Sequence, residues 1–419
     1  MPELCDTLGR PQVAVTGLGV VTPGGNSLES LWQFLLTGES AAAPISRFDA
    51  TALPVQFACE VRDFCPTDYV ERHELRRLDI LTTYAMGAAG DALRAAGQHG
   101  VPSSRSGVVV GTGIGGINTY DKEQEVFRAR GLRKVHPMAV PMVMPNATAG
   151  FLSMRAGLQG PNLTITTACA AGAHAVGEGA RLIRDRSADL MLVGGCEAAV
   201  TEFIVGGFCR AGALSTRNED PAQASRPFDT ARDGFVIGEG AAFLVLERLD
   251  HALTRGTHVH ALVQGYGCNA DAHHIVAPPP NGAGAVGCMR LALADAARAP
   301  EEIGHVNAHG TSTEQNDLAE ASAFRTVFGA GIPPVTSAKG ALGHLVGAAG
   351  AVEAIASILS IESGQVPPTA NHTQTDPDVF LDIVAGNPRE VGQRPVLSTS
   401  FGFGGQNATL VFAPYPEAA

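Results

Sequence analysis

The 419-residue sequence predicts an α/β protein of five layers, αβαβα, folded as two pseudo-symmetric halves. Two observations predict it. Short apolar runs alternate with Ala-rich helical stretches, the pattern of sheets covered by helices. Segments of the first half also recur in the second.

Strands are expected at 13–16, 108–111, 164–166, 190–194 and 242–246 in the first half. In the second half they are expected at 261–265, 305–308, 334–337, 396–399 and 409–412. Helical stretches at 80–97, 170–186, 284–298 and 345–361 lie between many of them. Val13-Ala-Val-Thr-Gly-Leu-Gly19 is echoed by Leu262-Val-Gln-Gly-Tyr-Gly267. Thr167-Ala-Cys-Ala-Ala-Gly-Ala-His-Ala-Val-Gly177 is echoed by Ala338-Lys-Gly-Ala-Leu-Gly-His-Leu-Val-Gly347. Both members of the second pair read as a strand running straight into an uncharged Gly/Ala helix. A helix start with no polar face must be buried, so the two helices are expected at the centre. Charges at Glu247, Arg248, Asp250 and Arg255 place the boundary between 1–254 and 255–419.

Composition narrows the class. The 50 glycines sit among Val, Ile and Ala, which marks close packing and turns rather than disorder. A formal charge of −12 argues against bulk attraction to nucleic acid or an anionic membrane. Arg72, Arg76 and Arg77 read as a solvated helix face. None of the eight cysteines has C-x-x-C or zinc spacing, so reduced thiols and no metal site are expected. Residues 1–12 contain Glu3, Asp6 and Pro11, which predicts no secretory signal, and the Ala/Gly run at 341–352 is too short to span a membrane. A cytoplasmic location follows as an expectation.

Four segments carry chemistry. Cys169 stands where a strand meets a buried helix, a place where the helix dipole lowers a thiol pKa. An inert buried cysteine is the competing reading. His309 ends an apolar strand and is followed by Gly310, Thr311 and Thr313, whose hydroxyls can hold a polar arm or cap the next helix. His344 shares an apolar stretch with Lys339 and Glu353. A buried lysine there needs a partner, and Glu353 is suited to it. Phe401-Gly-Phe-Gly-Gly405 can supply a backbone oxyanion donor and a gating ring, or be a plain turn. Gly111-Thr-Gly-Ile-Gly-Gly116 fits G-x-G-x-x-G, a weak dinucleotide signal when alone.

Together, Thr167-Ala-Cys169, Asn307-Ala-His-Gly-Thr311, Lys339 with Gly343-His344, and Gly402-Phe-Gly-Gly405 resemble the β-ketoacyl-acyl carrier protein synthases of the synthase I/II type. The resemblance runs from about residue 11 to 413 and implies the thiolase fold, usually as a dimer. It implies an acyltransferase that carries an acyl chain on Cys169 and extends it by decarboxylative Claisen condensation of malonyl-carrier protein. His309 and His344 would bind the malonyl thioester carbonyl, and the N–H groups of Cys169 and Phe403 would form the oxyanion hole. Lys339, paired with Glu353, would fix His344. Thr311 and Thr313 would hold the pantetheine arm, and Phe403 would gate the pocket beside Phe401. Ile114, Phe208 and Ala139 would line the acyl pocket, with Ala139 at its floor. No permanently bound cofactor is implied; substrates arrive on the phosphopantetheine of acyl carrier protein.

Departures from the pattern at Ala139, Gly212, Val276, Ala277 and Gln406 favour a specialised type II polyketide role, as a homodimer or a heterodimer with a chain-length factor. Housekeeping fatty-acid elongation by a homodimer is the alternative. A degradative thiolase would need a late second cysteine, and none follows Cys288. A non-catalytic chain-length factor would lack Cys169.

Overall fold

The computed structural model describes residues 4–97 and 99–415. Each of the ten expected strands is present. They are β1 (Val13–Val21), β2 (Ser106–Gly111), β3 (Asn162–Ile165), β4 (Leu190–Glu197), β5 (Gly240–Arg248), β6 (Ala261–Ala270), β7 (His305–Asn307), β8 (Val335–Thr336), β9 (Val396–Gly402) and β10 (Gln406–Ala413). Their spatial order is β8-β7-β9-β10-β6-β1-β5-β4-β2-β3. Read outward from the centre, both halves show the same sequence of positions. The first strand pairs antiparallel with the fifth and the fifth antiparallel with the fourth. The fourth then pairs parallel with the second, and the second parallel with the third. The two halves join edge to edge where Val13–Val15 of β1 meet Ala261–Val263 of β6.

Five layers follow from what packs on each face. Helices Ile80–Ala96 and Ala147–Ala156 cover the outer face of the first half. Ala283–Asp295 covers the second half, with Glu314–Phe328 packed on it. Between the halves lie Ala171–Arg184 and Ala349–Ser363, in contact with each other and with both sheet layers.

The first sequence echo has a steric cause. A Cβ on Gly19 would sit 2.0 Å from the Ala88 carbonyl oxygen, and one on Gly267 would sit 2.2 Å from that of Cys288. Equivalent glycines let equivalent outer helices lie directly on β1 and β6. The second echo is real but its register is different. The residues entering the central helices with positive φ are Ala168 (+48°) and Val346 (+45°), so Cys169 corresponds to Gly347. β3 runs almost straight into the first central helix. In the second half, the stretch between Thr336 and Val346 intervenes, and it carries Lys339 and His344.

The segment Val346–Ser363 is long and apolar enough by composition to cross a membrane (mean hydropathy 1.4), but 89% of it is buried inside the protein. The charges at 247–255 form a closed network: Arg255 and His251 both meet the buried Glu247 carboxylate. All eight cysteines are free. Arg72, Arg76 and Arg77 are exposed around the turn Leu75–Arg77, as a solvated face requires.

Candidate active site

A cavity of about 440 Å³ opens where the two halves meet. Cys169, His309, His344, Thr311, Thr313, Phe401, Phe403, Phe208 and Ile114 all line it. This size lies within the usual range for a small-molecule site.

Cys169 lies in the turn Ala168–Ala170 that leads into the first central helix. Its expected low pKa is corrected by the structure. Burial pushes the thiol up to about 11, against the opposing pull of the Phe403 N–H and the Lys339 charge. Desolvation of a thiolate outweighs a helix start when the sulfur is cut off from water. The Phe403 N–H and the Cys169 N–H both favour negative charge at the sulfur, so the two expected oxyanion donors converge there. Gly402 makes this possible: a Cβ on it would sit 2.5 Å from the Thr167 carbonyl oxygen.

The imidazoles of His309 and His344 lie edge to face, with ring centres 5.4 Å apart. Both are buried. Desolvation and the Lys339 charge hold both pKa values well below the ordinary one, so both rings are neutral. Their tautomers follow from their partners. The Val346 N–H donates to His344 Nδ1 (3.3 Å), and the Lys339 ammonium donates to His309 Nδ1 (3.3 Å). With each Nδ1 accepting, each Nε2 carries the proton. His344 Nε2 is buried and has no hydrogen-bond partner in the protein.

Lys339 is 2% exposed and donates to Glu353 Oε1, as expected. It does not fix His344, however. Its second contact is His309 Nδ1. His344 is set instead by the backbone of Val346, because the turn after it folds back onto its own ring.

Thr313 occupies the N-cap of Glu314–Phe328 but makes no side-chain cap bond. Its hydroxyl pairs with that of Thr311 (2.8 Å) at the cavity wall. The Thr311 N–H donates to Asp317 Oδ1 (3.1 Å), which fixes that wall. Phe403 is 38% exposed, and its ring centre is 6.4 Å from that of Phe208. Val276, Ala277 and Gly212 also line the cavity. Ala139 does not. It starts the short helix Ala139–Val143, which packs on Ile117–Arg130, so within one chain it is no pocket floor.

Two buried carboxylates were not singled out from the sequence. Glu320 accepts the N–H groups of His309 (2.8 Å) and Gly310 (2.7 Å) and the Thr399 hydroxyl (2.8 Å), and so holds the His309 loop. Glu197 accepts N–H bonds from Gly113 (2.6 Å) and Gly347 (3.1 Å), pinning one half to the other beneath Ile114. Burial pushes each up to about 7. Glu197 also occupies the Gly113 N–H of the G-x-G-x-x-G loop, a donor that a dinucleotide phosphate would need. Glu197 closes the apolar strand β4 and Glu320 lies within the helix Glu314–Phe328, places that carry no signal of their own in the sequence.

Two family models match the chain: the N-terminal domain of β-ketoacyl synthase over residues 10–252 and its C-terminal domain over 260–373. The chain belongs to the β-ketoacyl synthase family. It is an acyltransferase with ketosynthase condensation activity. A synthase of this family from Coxiella burnetii, 3-oxoacyl-[acyl-carrier-protein] synthase 2, is 43% identical over 408 residues, which is 96% of this chain and 99% of the relative. The Synechocystis protein of the same name is 42% identical, covering 97% and 99%. Among solved structures, the ishigamide ketosynthase/chain length factor superposes with a TM-score of 0.90 at 38% identity, covering 97% of this chain and all of that one. A type II polyketide ketosynthase in complex with its acyl-carrier protein, AntDE:AntF, gives a TM-score of 0.86 at 30% identity over the same shares. These ketosynthases share the thiolase fold seen here.

Proposed function

We propose that this ketosynthase condenses malonyl-carrier protein with an acyl chain held on Cys169. The observation that carries the roles is the matched pair of imidazoles: both are neutral and each has Nδ1 engaged, so both Nε2–H groups are left as donors. In the loading step, Cys169 sulfur attacks the acyl-pantetheine thioester, and its proton leaves with the pantetheine thiol. In the second step the malonyl carboxylate departs as CO₂. The electron pair of the broken C–C bond forms an enolate, whose oxygen accepts hydrogen bonds from His309 and His344. The enolate carbon then attacks the acyl-Cys169 carbonyl. The N–H groups of Cys169 and Phe403 hold the resulting oxyanion until the Cys169 thiolate leaves. Lys339 and Glu353 position His309. The hydroxyls of Thr311 and Thr313 face the pantetheine arm, and Phe403 with Phe401 gates the entrance.

The division at 254/255, the carrier-protein partner and a dimer belong to the same reading. The dimer is supported by β3, an end strand of the sheet, with Leu163 exposed and Leu132, Val140 and Met154 exposed on nearby segments. An open apolar edge needs a cover. A second copy or a chain-length factor fits it.

For pathway, the apolar mouth at Val276 and Ala277, with Ile275 exposed beside it, supports a specialised polyketide role. The 40–43% identity to synthases of the 3-oxoacyl-[acyl-carrier-protein] synthase 2 name favours housekeeping elongation as the second reading. One experiment addresses both levels. Mass spectrometry should find the acyl group on Cys169, and Cys169→Ala should abolish condensation. His344→Ala should keep acyl loading but lose decarboxylation. An adduct on another cysteine, or unchanged decarboxylation, would overturn these roles. Full elongation activity of the lone chain on fatty acyl-carrier protein would exclude the polyketide role.

A further inference from the structure

At the opposite end of β6 from the cavity lies a second convergence of side chains. β6 is ten residues long, so the two ends are about 30 Å apart. His258 and His260 lie two residues apart in the stretch that joins the halves and leads into β6. Glu362 lies in the last turn of the central helix Ala349–Ser363. Their donor atoms all fall within 4.8 Å of one another. His258 Nε2 is 3.1 Å and His260 Nδ1 is 2.7 Å from the same oxygen, Glu362 Oε1.

We propose that His258, His260 and Glu362 bind one divalent transition-metal ion, Zn²⁺ by ligand type, which ties the junction of the halves to the end of the central helix.

Four observations carry it. The ligands are two imidazoles and a carboxylate, a set suited to zinc. Among the described residues, Glu362 has ion pairs only with these two imidazoles. The comparable Asp295 meets two arginines, and Glu247 meets Arg255 beside His251. The backbones are already fixed: the His260 N–H donates to the Val15 carbonyl (2.9 Å), and Gln393 Nε2 donates to the Glu362 carbonyl (3.2 Å). The rings also cross at 88° with centres 4.6 Å apart, so they present separate edges to the carboxylate.

Tetrahedral zinc with bonds of about 2.0–2.1 Å sets its ligands roughly 3.3 Å apart, close to the 3.1 and 2.7 Å that now separate the two ring nitrogens from Glu362 Oε1. Each imidazole binds through the nitrogen now facing Glu362, and the proton which that nitrogen donates to the carboxylate gives way to the ion, leaving the ring's proton on its other nitrogen. His258 is 58% exposed on its side chain, which leaves the fourth position open to water.

The test uses the metal-free full-length protein titrated with CoCl₂ and with ZnCl₂. One equivalent of Co²⁺ per chain should bind and give the visible absorption of a four-coordinate ion. Zn²⁺ should displace it and raise the thermal midpoint, as any ligand of the folded state does. Changing residues that merely support ligands weakens metal binding by about 10–100-fold, so loss of a ligand in His258→Ala or Glu362→Gln should cost at least that. In His258→Ala the thermal shift should vanish while circular dichroism and condensation activity stay unchanged. Equal metal uptake by wild type and His258→Ala would place the ion at other side chains, such as the exposed Cys5, Cys65, His273 or His274, and overturn the proposal. So would the absence of stoichiometric uptake at micromolar metal.

Discussion

Replacing Glu353 by alanine leaves the Lys339 ammonium buried, with a neutral imidazole as its remaining side-chain acceptor. Lys339 and Glu353 are each 2% exposed, so water cannot take the carboxylate's place. Breaking a buried pair from one side costs about 3–5 kcal/mol, because an uncompensated charge remains. Glu353→Ala should therefore lose about that much stability in urea or guanidinium unfolding. Removing both charges is a different perturbation. The double variant Lys339→Met/Glu353→Leu fills the same space without ions, and such exchanges are often neutral or stabilising. It should recover most of the lost stability. It should not recover decarboxylation, because His309 Nδ1 has lost the ammonium that sets its tautomer and orientation. The assay is chemical denaturation run beside CO₂ release from malonyl-carrier protein. A Glu353→Ala loss under about 1 kcal/mol, the range of an exposed pair, would refute the buried-pair reasoning. A double variant with full decarboxylation would refute the positioning role.

Two further outcomes follow from the site. The donors are neutral imidazoles whose pKa values lie well below 6.5, so the active form persists as pH falls through that value. An ordinary histidine would be about nine-tenths protonated one unit below its pKa; the ring resonances of His309 and His344 should instead show no titration from about pH 7.5 to 5.5, while kcat/KM follows the buried Glu320 and Glu197 near 7, and an imidazole resonance that titrates near 6.5 would contradict the assignment. Gly402→Ala would press a Cβ to within 2.5 Å of the Thr167 carbonyl oxygen. Overpacking of this kind costs typically 1–3 kcal/mol, and if it falls on the oxyanion turn kcat should drop by about 5–150-fold with Cys169 loading retained; unchanged kcat would dissociate the turn from catalysis.

The ten strands and the central helices were legible because their signals are local. β-runs and Ala-rich helices are set by side-chain period and size, and the Gly19 and Gly267 pattern records the close approach of each outer helix. The motifs around Cys169, His309, Lys339, His344 and Phe403 were legible for a related reason. Each sits on a strand end or helix start where small neighbours leave room, and the structure brings them to one cavity.

Which groups touch was a different matter. The family resemblance implied that Lys339 serves His344, five residues away, yet its ammonium reaches His309. Charge and helix position suggested an acidic thiol at Cys169, yet burial by both halves pushes it up to about 11. The resemblance put Ala139 at the pocket floor, and it lies outside the cavity. Glu197 and Glu320 gave no signal, because their partners are backbone N–H groups that converge only on folding. Desolvation and long-range contact depend on what closes over a residue, and no spacing along the chain encodes that. The sequence alone determined that Cys169 stands at the start of a buried helix in a two-half α/β fold; tertiary packing decided the charge state of its thiol, which histidine the lysine holds, and where the cavity ends.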